Sequence, residues 1–246
     1  REVCMKFLGL DPIDTPIPVR PVAHYAMGGI EADINGKTKA DNIWAAGEVA
    51  CLSMHGANRL GSNSTAECLV WGDICGNEIV KFLKTDPKLS DAPVDKLKCE
   101  EERLFGDLIN KNGNENPFDI RKDLRKIMDE CAGVFRKGEE LAKGLEKVKL
   151  LKEKFNNIGI QDKGRVYNTN LINTLETENL LILAEAQLAS ALAREESRGG
   201  HSRRDFPTRD DEKWLKHTLA KYTENGPNLD YKDVTLTKWK PVERKY

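Results

Sequence analysis

His24, Glu48, His55 and Arg59 are the residues in the first quarter of this 246-residue chain whose types and surroundings suit chemistry. Three of them fall within Gly47–Thr65, GEVACLSMHGANRLGSNST, a Gly-punctuated stretch between two apolar runs. Long loops between buried elements are where binding and catalysis concentrate. Arg59 lies in Asn58-Arg59-Leu60-Gly61, with no acid beside it in sequence. Its planar fork suits bidentate capture of a carboxylate, and it equally suits a salt bridge to a remote acid. Glu48 follows the apolar run Ile43–Ala46 and Gly47. An acid at the carboxyl end of a strand is placed to bind the hydroxyls of a ribose or ribityl chain. His24 precedes Gly28-Gly29 and could donate to an anionic substrate, exchange protons, or serve structure alone. His55 has the same alternatives and no assigned role.

These residues need elements to hold them. Asn42–Ala46 reads as a buried strand, preceded by a tight turn at Asp33–Lys37 with its Asn-Gly pair. Ser64-Thr65-Ala66-Glu67 reads as a capping box opening a helix to Leu83, buried on most sides. The amino end of that helix presents free backbone N–H groups that can hold an anion or an electron-rich ring. Pro12, Pro16, Pro18 and Pro21 make the entry to this first zone, residues 1–86, extended.

Residues 92–196 form a helical zone. One helix is expected over Pro93–Asn110. A second begins at Pro117, with Ile120, Leu124, Ile127, Met128 and Cys131 at helical spacing, a rhythm that Leu141–Phe155 continues beyond Gly138. A third is expected over Thr169–Glu196, and an antiparallel three-helix bundle accommodates the set. Residues 197–246 are irregular and dense in Arg and Asp around Phe206 and Trp214, as in an ion-paired surface packed on another domain. The fold class is thus mixed, mostly α.

A net charge of −1 argues against a nucleic-acid binder. No apolar run approaches the ~20 residues needed to span a bilayer. The six cysteines show no CxxC spacing, which disfavours a zinc or iron–sulfur site on this chain and fits a reducing compartment. GxGxxG, P-loop, nucleophile-elbow and kinase signatures are absent. The chain opens on Arg1, and a fragment or processed product is one expectation.

His24–Ile30 (HYAMGGI), Ile43–Glu48 (IWAAGE), His55–Ser64 (HGANRLGSNS), Arg136–Leu145 (RKGEELAKGL), Glu196–Leu219 and Lys238–Tyr246 (KWKPVERKY) together resemble the flavoprotein subunit of succinate dehydrogenase and fumarate reductase. The likeness runs along the whole chain. It implies the carboxyl-terminal piece of a Rossmann-like FAD-binding domain, then a three-helix bundle and a carboxyl-terminal subdomain. It further implies hydride transfer between FAD and a dicarboxylate, succinate or fumarate. By motif match, His24 and Arg59 would bind the dicarboxylate, Glu48 would contact FAD, and Ser64 and Thr65 would meet the flavin. Pro12–His24 would return from a capping domain that precedes Arg1. The family's proton-shuttling Arg belongs to that cap, so no catalytic residue is expected within this chain. An iron–sulfur subunit, and peripheral attachment to the cytoplasmic face of the membrane through partner subunits, are implied as well. The family commonly has Leu-Leu-Asp where this chain has Thr65-Ala66-Glu67. L-aspartate oxidase shares the HxxMGG and HGANRL strings and is the alternative family. A non-catalytic helical interaction module is the alternative class.

Overall fold

The computed structural model describes residues 1–19, 24–88 and 90–242, whose regular structure is chiefly helical, with three two-stranded sheets. They divide into two compact units, Arg1–Leu52 with Leu60–Gly76, and Ser53–Arg59 with Asn77–Tyr246.

The first unit begins with helix α1 (Glu2–Leu8), which buries no residue and ends on Gly9 in the left-handed conformation. The expected return strand Pro12–His24 is not extended at its start, where Thr15 N–H closes a turn onto Asp11 O at 2.8 Å; residues 16–19 carry no regular structure, and residues 20–23 lie outside the described residues. Strand β1 (Ile30–Glu31) pairs in parallel with β2 (Ala50–Cys51), Ile30 opposite Ala50. The turn expected at Asp33–Lys37 forms: Asp33 N–H donates to Lys37 O at 3.0 Å, and Asp33 Oδ1 accepts from the Asn35 and Lys37 amides. Gly36 is required there. Its φ is +75°, and a Cβ would stand 2.1 Å from the Cys75 sulfur.

Asn42–Ala46 is not a buried strand. Its backbone bonds go into the preceding turn instead: Ile43 O accepts from Thr38 N–H and Thr38 Oγ1, and Ala45 N–H donates to Gly36 O. Ile43 is exposed, and among the described residues the segment pairs through an isolated bridge, Lys37 with Trp44.

Helix α2 (Asn63–Leu83) matches its expected carboxyl end but starts earlier than the capping box predicts. Ser64 is therefore inside the helix and cannot cap it. The carboxylate of Glu67, 1% exposed, accepts a 2.8 Å bond from the Tyr25 hydroxyl. Nor is the helix buried on most sides. Glu67 and Cys75 are its buried residues, whereas Leu69, Val70, Val80 and Leu83 are exposed. Periodicity reveals an apolar helix but not what covers it.

In the second unit, the Pro93–Asn110 helix is present as α3 (Val94–Glu101) continuing into wider π-helical turns, Glu102–Leu108. Helix α4 (Pro117–Cys131) opens on Asn116, whose side chain accepts from Phe118 N–H, with Pro117 at the first position. Short strand β3 (Phe135–Arg136) leads to α5 (Gly138–Phe155). Helix α6 (Thr169–Ala193) is capped by Asn168, which accepts from Leu171 N–H at 2.7 Å. These three helices share one core, with Ile120, Leu124, Leu141, Val148, Leu181 and Leu188 at its centre. Each such side chain contributes roughly 1.5–3 kcal/mol by leaving water.

The charged tail then folds back onto the helix ends. Strand β4 (Ser202–Arg203) pairs in parallel with β3. Helix α7 (Asp211–Trp214) buries Trp214, and β5 (Lys216–Lys221) pairs antiparallel with β6 (Asn228–Asp233). Glu243–Tyr246, part of the carboxyl-terminal motif, lie outside the described residues.

Candidate functional site

Within the first unit, the Gly47–Val49 turn and the His24–Gly29 segment are joined through Glu48. Its Oε1 accepts the Ala26 N–H at 2.8 Å, while the residue remains exposed. The neighbouring Tyr25 is anchored to the buried Glu67 of α2. Burial, then the hydrogen bond to Glu67 and the surrounding negative charge, push the Tyr25 phenol up to about 12. His24 is exposed at the start of this tethered segment.

Ser64 is half-buried and Thr65 exposed in the first turn of α2, which carries no acidic side chain. The first N–H groups of a helix have no intrahelical acceptor, so this end is a set of donors with a partial positive charge. Beyond the chain neighbours, no heavy atom lies within 4 Å of where a Cβ would stand at Gly28 or Gly61, so both glycines border open space. The donor set suits an electron-rich ring, and the residues present fit the flavin end of FAD.

Arg59 belongs to the second unit with the rest of Ser53–Arg59, although its flanking sequence belongs to the first. The reason is local bonding. Gly200 N–H donates to Ala57 O at 3.0 Å, and Ser53 Oγ meets His217 Nε2 of β5 at 2.8 Å. Arg59 and His55 are both half-buried.

Behind that loop the Arg and Asp residues of the tail form an ion network around the buried Glu196 and Arg203. Glu196, fully buried, accepts from Arg194 Nε, from Arg198 and from the Asp210 amide. Burial alone would raise its pKa, but the bonds from Arg198, Asp210 N–H and Arg194 outweigh it and hold the carboxyl below the ordinary range. Arg203, 2% exposed, donates through Nη1 to the Ala191, Leu192 and Arg194 carbonyls at the end of α6. Its other two nitrogens form a bidentate pair with Asp205, whose Oδ2 also accepts Gly138 N–H at the start of α5. One ion pair thus caps two helices with the charges their dipoles favour.

His201 sits between Arg136 Nη1, 3.0 Å from its Nδ1, and the Arg194 carbonyl, 3.1 Å from its Nε2. Burial, together with the Arg136, Arg203 and Arg194 guanidinium groups, pushes this imidazole below its usual pKa, partly offset by the Arg194 carbonyl. The sequence pattern contained none of these contacts between Ser53–Arg59 and residues 198–217. Gly199-Gly200 beside a His was the one local signal.

A donor-rich helix end, an acid tethered to backbone and glycines with open space around them accord with a flavin-binding protein. Residues 1–65 match the family model described as FAD binding domain, and residues 121–246 match that of the fumarate reductase flavoprotein carboxyl terminus. The whole chain is 43% identical over 252 residues to a fumarate reductase flavoprotein subunit of Mycobacterium tuberculosis and covers 43% of it. It is 39% identical to the mitochondrial succinate dehydrogenase flavoprotein subunit of Oryza sativa, over 96% of this chain and 39% of that relative. A solved quinol fumarate reductase of E. coli superposes with a TM-score of 0.92 at 40% identity, covering 98% of this chain and 42% of that one. The chain belongs to the fumarate reductase and succinate dehydrogenase flavoprotein family, whose cofactor is FAD. It spans less than half the length of these relatives.

Proposed function

We propose that this chain is the carboxyl-terminal part of a flavoprotein dehydrogenase/reductase that interconverts succinate and fumarate, and is incomplete on its own. The observation that carries this reading is end-to-end similarity at about 40% to subunits of which the chain covers 43% or less. On this reading residues 1–86 are the second piece of a Rossmann-like FAD-binding domain, residues 92–196 an antiparallel three-helix bundle, and residues 197–246 a carboxyl-terminal subdomain. FAD, when bound, supplies hydride exchange with a dicarboxylate carbon. Glu48 contacts the cofactor, and Ser64 and Thr65 bring the positive end of α2 to the ring, stabilising the charge it gains on reduction. His24 and Arg59 hold the dicarboxylate. Arg59 supplies charge and a fork matched to one carboxylate, and His24 donates a further hydrogen bond. The proton-transferring Arg and the phosphate-binding loop belong to the amino-terminal part.

The partners on this reading are an iron–sulfur subunit that takes electrons from the flavin and, through it, membrane-anchoring subunits on the cytoplasmic face. No helix among the described residues is long and apolar enough to cross a membrane, which agrees with attachment through partners. The test is dye-coupled turnover by the full-length FAD-loaded subunit. Succinate oxidation and fumarate reduction are expected, with L-aspartate inert. Aspartate oxidation in place of succinate oxidation would transfer the chain to the aspartate oxidases.

A further inference from the structure

The Ser53–Arg59 loop is held from outside itself at two points four residues apart, Ser53 and Ala57, and the second is only two residues from Arg59. Both holders come from the carboxyl-terminal segment. The first is the hairpin turn Arg198–His201, closed by Arg198 N–H to His201 O at 2.8 Å and by His201 N–H to Arg198 O at 3.0 Å. The second is His217 on β5. The turn is itself fixed on both flanks. Arg198 is bound to the fully buried Glu196 and to Asp211 at 2.7 Å, and the His201 ring is pinned between Arg136 and the Arg194 carbonyl.

At its tip the backbone approaches the loop more closely than a side chain permits. Gly199 has φ of +56°, and a Cβ there would stand 2.6 Å from both the carbonyl carbon and oxygen of Ala57. Ser53 has φ of +65°, a costly conformation for a non-glycine residue, and His217 bonds its hydroxyl. A strained loop clamped at two points onto that ion network has one defined path, and Arg59 leaves that path immediately after the second clamp.

We propose that the Gly199-Gly200 turn and His217 are positioning residues for Arg59, so that the carboxyl-terminal segment sets the geometry of dicarboxylate capture. This rests on the reading of Arg59 as a substrate-binding residue. Neither holder touches substrate. Gly200 acts through the Ala57 carbonyl and His217 through the Ser53 hydroxyl. Displacing a binding group by about 1 Å costs up to two orders of magnitude in rate, so loss of either clamp reads out at the substrate.

The experiment compares Gly199→Ala, His217→Leu, His217→Gln and Arg59→Ala in the full-length FAD-loaded subunit. It measures KM and kcat for fumarate, flavin content by visible absorbance, and Tm. Gly199→Ala and His217→Leu are expected to raise KM about tenfold or more, with flavin content retained. His217→Gln, whose amide still reaches a hydroxyl, should recover most of the loss. Combining Gly199→Ala with Arg59→Ala should raise KM no further than Arg59→Ala alone, a coupling that a purely structural role does not produce. If Gly199→Ala does not fold, the two His217 variants decide. A raised KM in Arg59→Ala beside unchanged KM in His217→Leu overturns the clamp and leaves the Arg59 reading standing. An unchanged KM in Arg59→Ala overturns the Arg59 reading, and the clamp with it.

Discussion

Arg59 and Tyr25 show two ways a single residue serves the proposed site. Arg59 offers charge and a fork, and a hydrogen bond to a charged group is worth about 1.5–3 kcal/mol. In the full-length subunit, Arg59→Ala is therefore expected to weaken dicarboxylate binding by roughly 10- to 150-fold. Unchanged succinate affinity, measured by flavin absorbance titration, would remove Arg59 from the site. Tyr25 acts by tethering, because its hydroxyl bonds the buried Glu67 and so fixes the segment that starts at His24. Its phenol is raised from 10.0 to about 12. A group raised on folding stabilises the protein fully below its unfolded pKa, and that contribution disappears as pH rises through the folded value. The pair should thus hold at neutral pH and weaken between about 10 and 12. An ultraviolet difference titration of the wild-type subunit against Tyr25→Phe should show one tyrosinate forming near pH 12; a difference centred at pH 10 contradicts the tether.

At the scale of elements, Arg203 and Asp205 join the end of α6 to the start of α5 through one ion pair. Arg203 is buried while Asp205 is 36% exposed, so removing the guanidinium should cost about 1–3 kcal/mol, less than for a fully buried pair. Arg203→Met is expected to lose stability of this order in urea unfolding, whereas exposed pairs such as Lys143 with Glu139 should register within ~0.5 kcal/mol. A Met variant as stable as wild type would mean that the cap carries no energy. The helices themselves were legible because their signals are local: Pro117 after Asn116, and apolar residues three and four apart through α4, α5 and α6. Asn42–Ala46 and the capping box at Ser64 failed because other residues capture the polar groups that the pattern assigns. The apolar run at Ile43 has the pattern of a strand, but its carbonyl is captured by Thr38, five residues earlier. Glu67 had the spacing of a cap, but its carboxylate is taken by Tyr25, 42 residues away in sequence. Capture of a polar group, near or far in sequence, leaves no trace in hydrophobic periodicity. The charged tail was legible as an ion-paired surface, but the turn that Gly199 makes against Ala57 was not.

For the whole molecule, the family was readable from the string HGANRLGSNS and its companions, and the matched models and relatives agree with it. On the proposed reading the site is divided, because the chain carries no phosphate-loop motif and the resemblance implies a proton-shuttling Arg in the cap. Leu69 and Val70 of α2 are 71% and 48% exposed, an apolar helix face that accords with a chain forming part of a larger fold. On the proposed reading this chain supplies the flavin-facing helix end and the carboxylate-binding Arg59, while the cap supplies the proton. The most direct test assays the purified 246-residue polypeptide, supplied with FAD, beside the full-length subunit for fumarate reduction by a reduced dye. Turnover by the full-length subunit and none by the polypeptide is predicted. Sustained turnover by the polypeptide alone would contradict the claim that it holds only half of an active site.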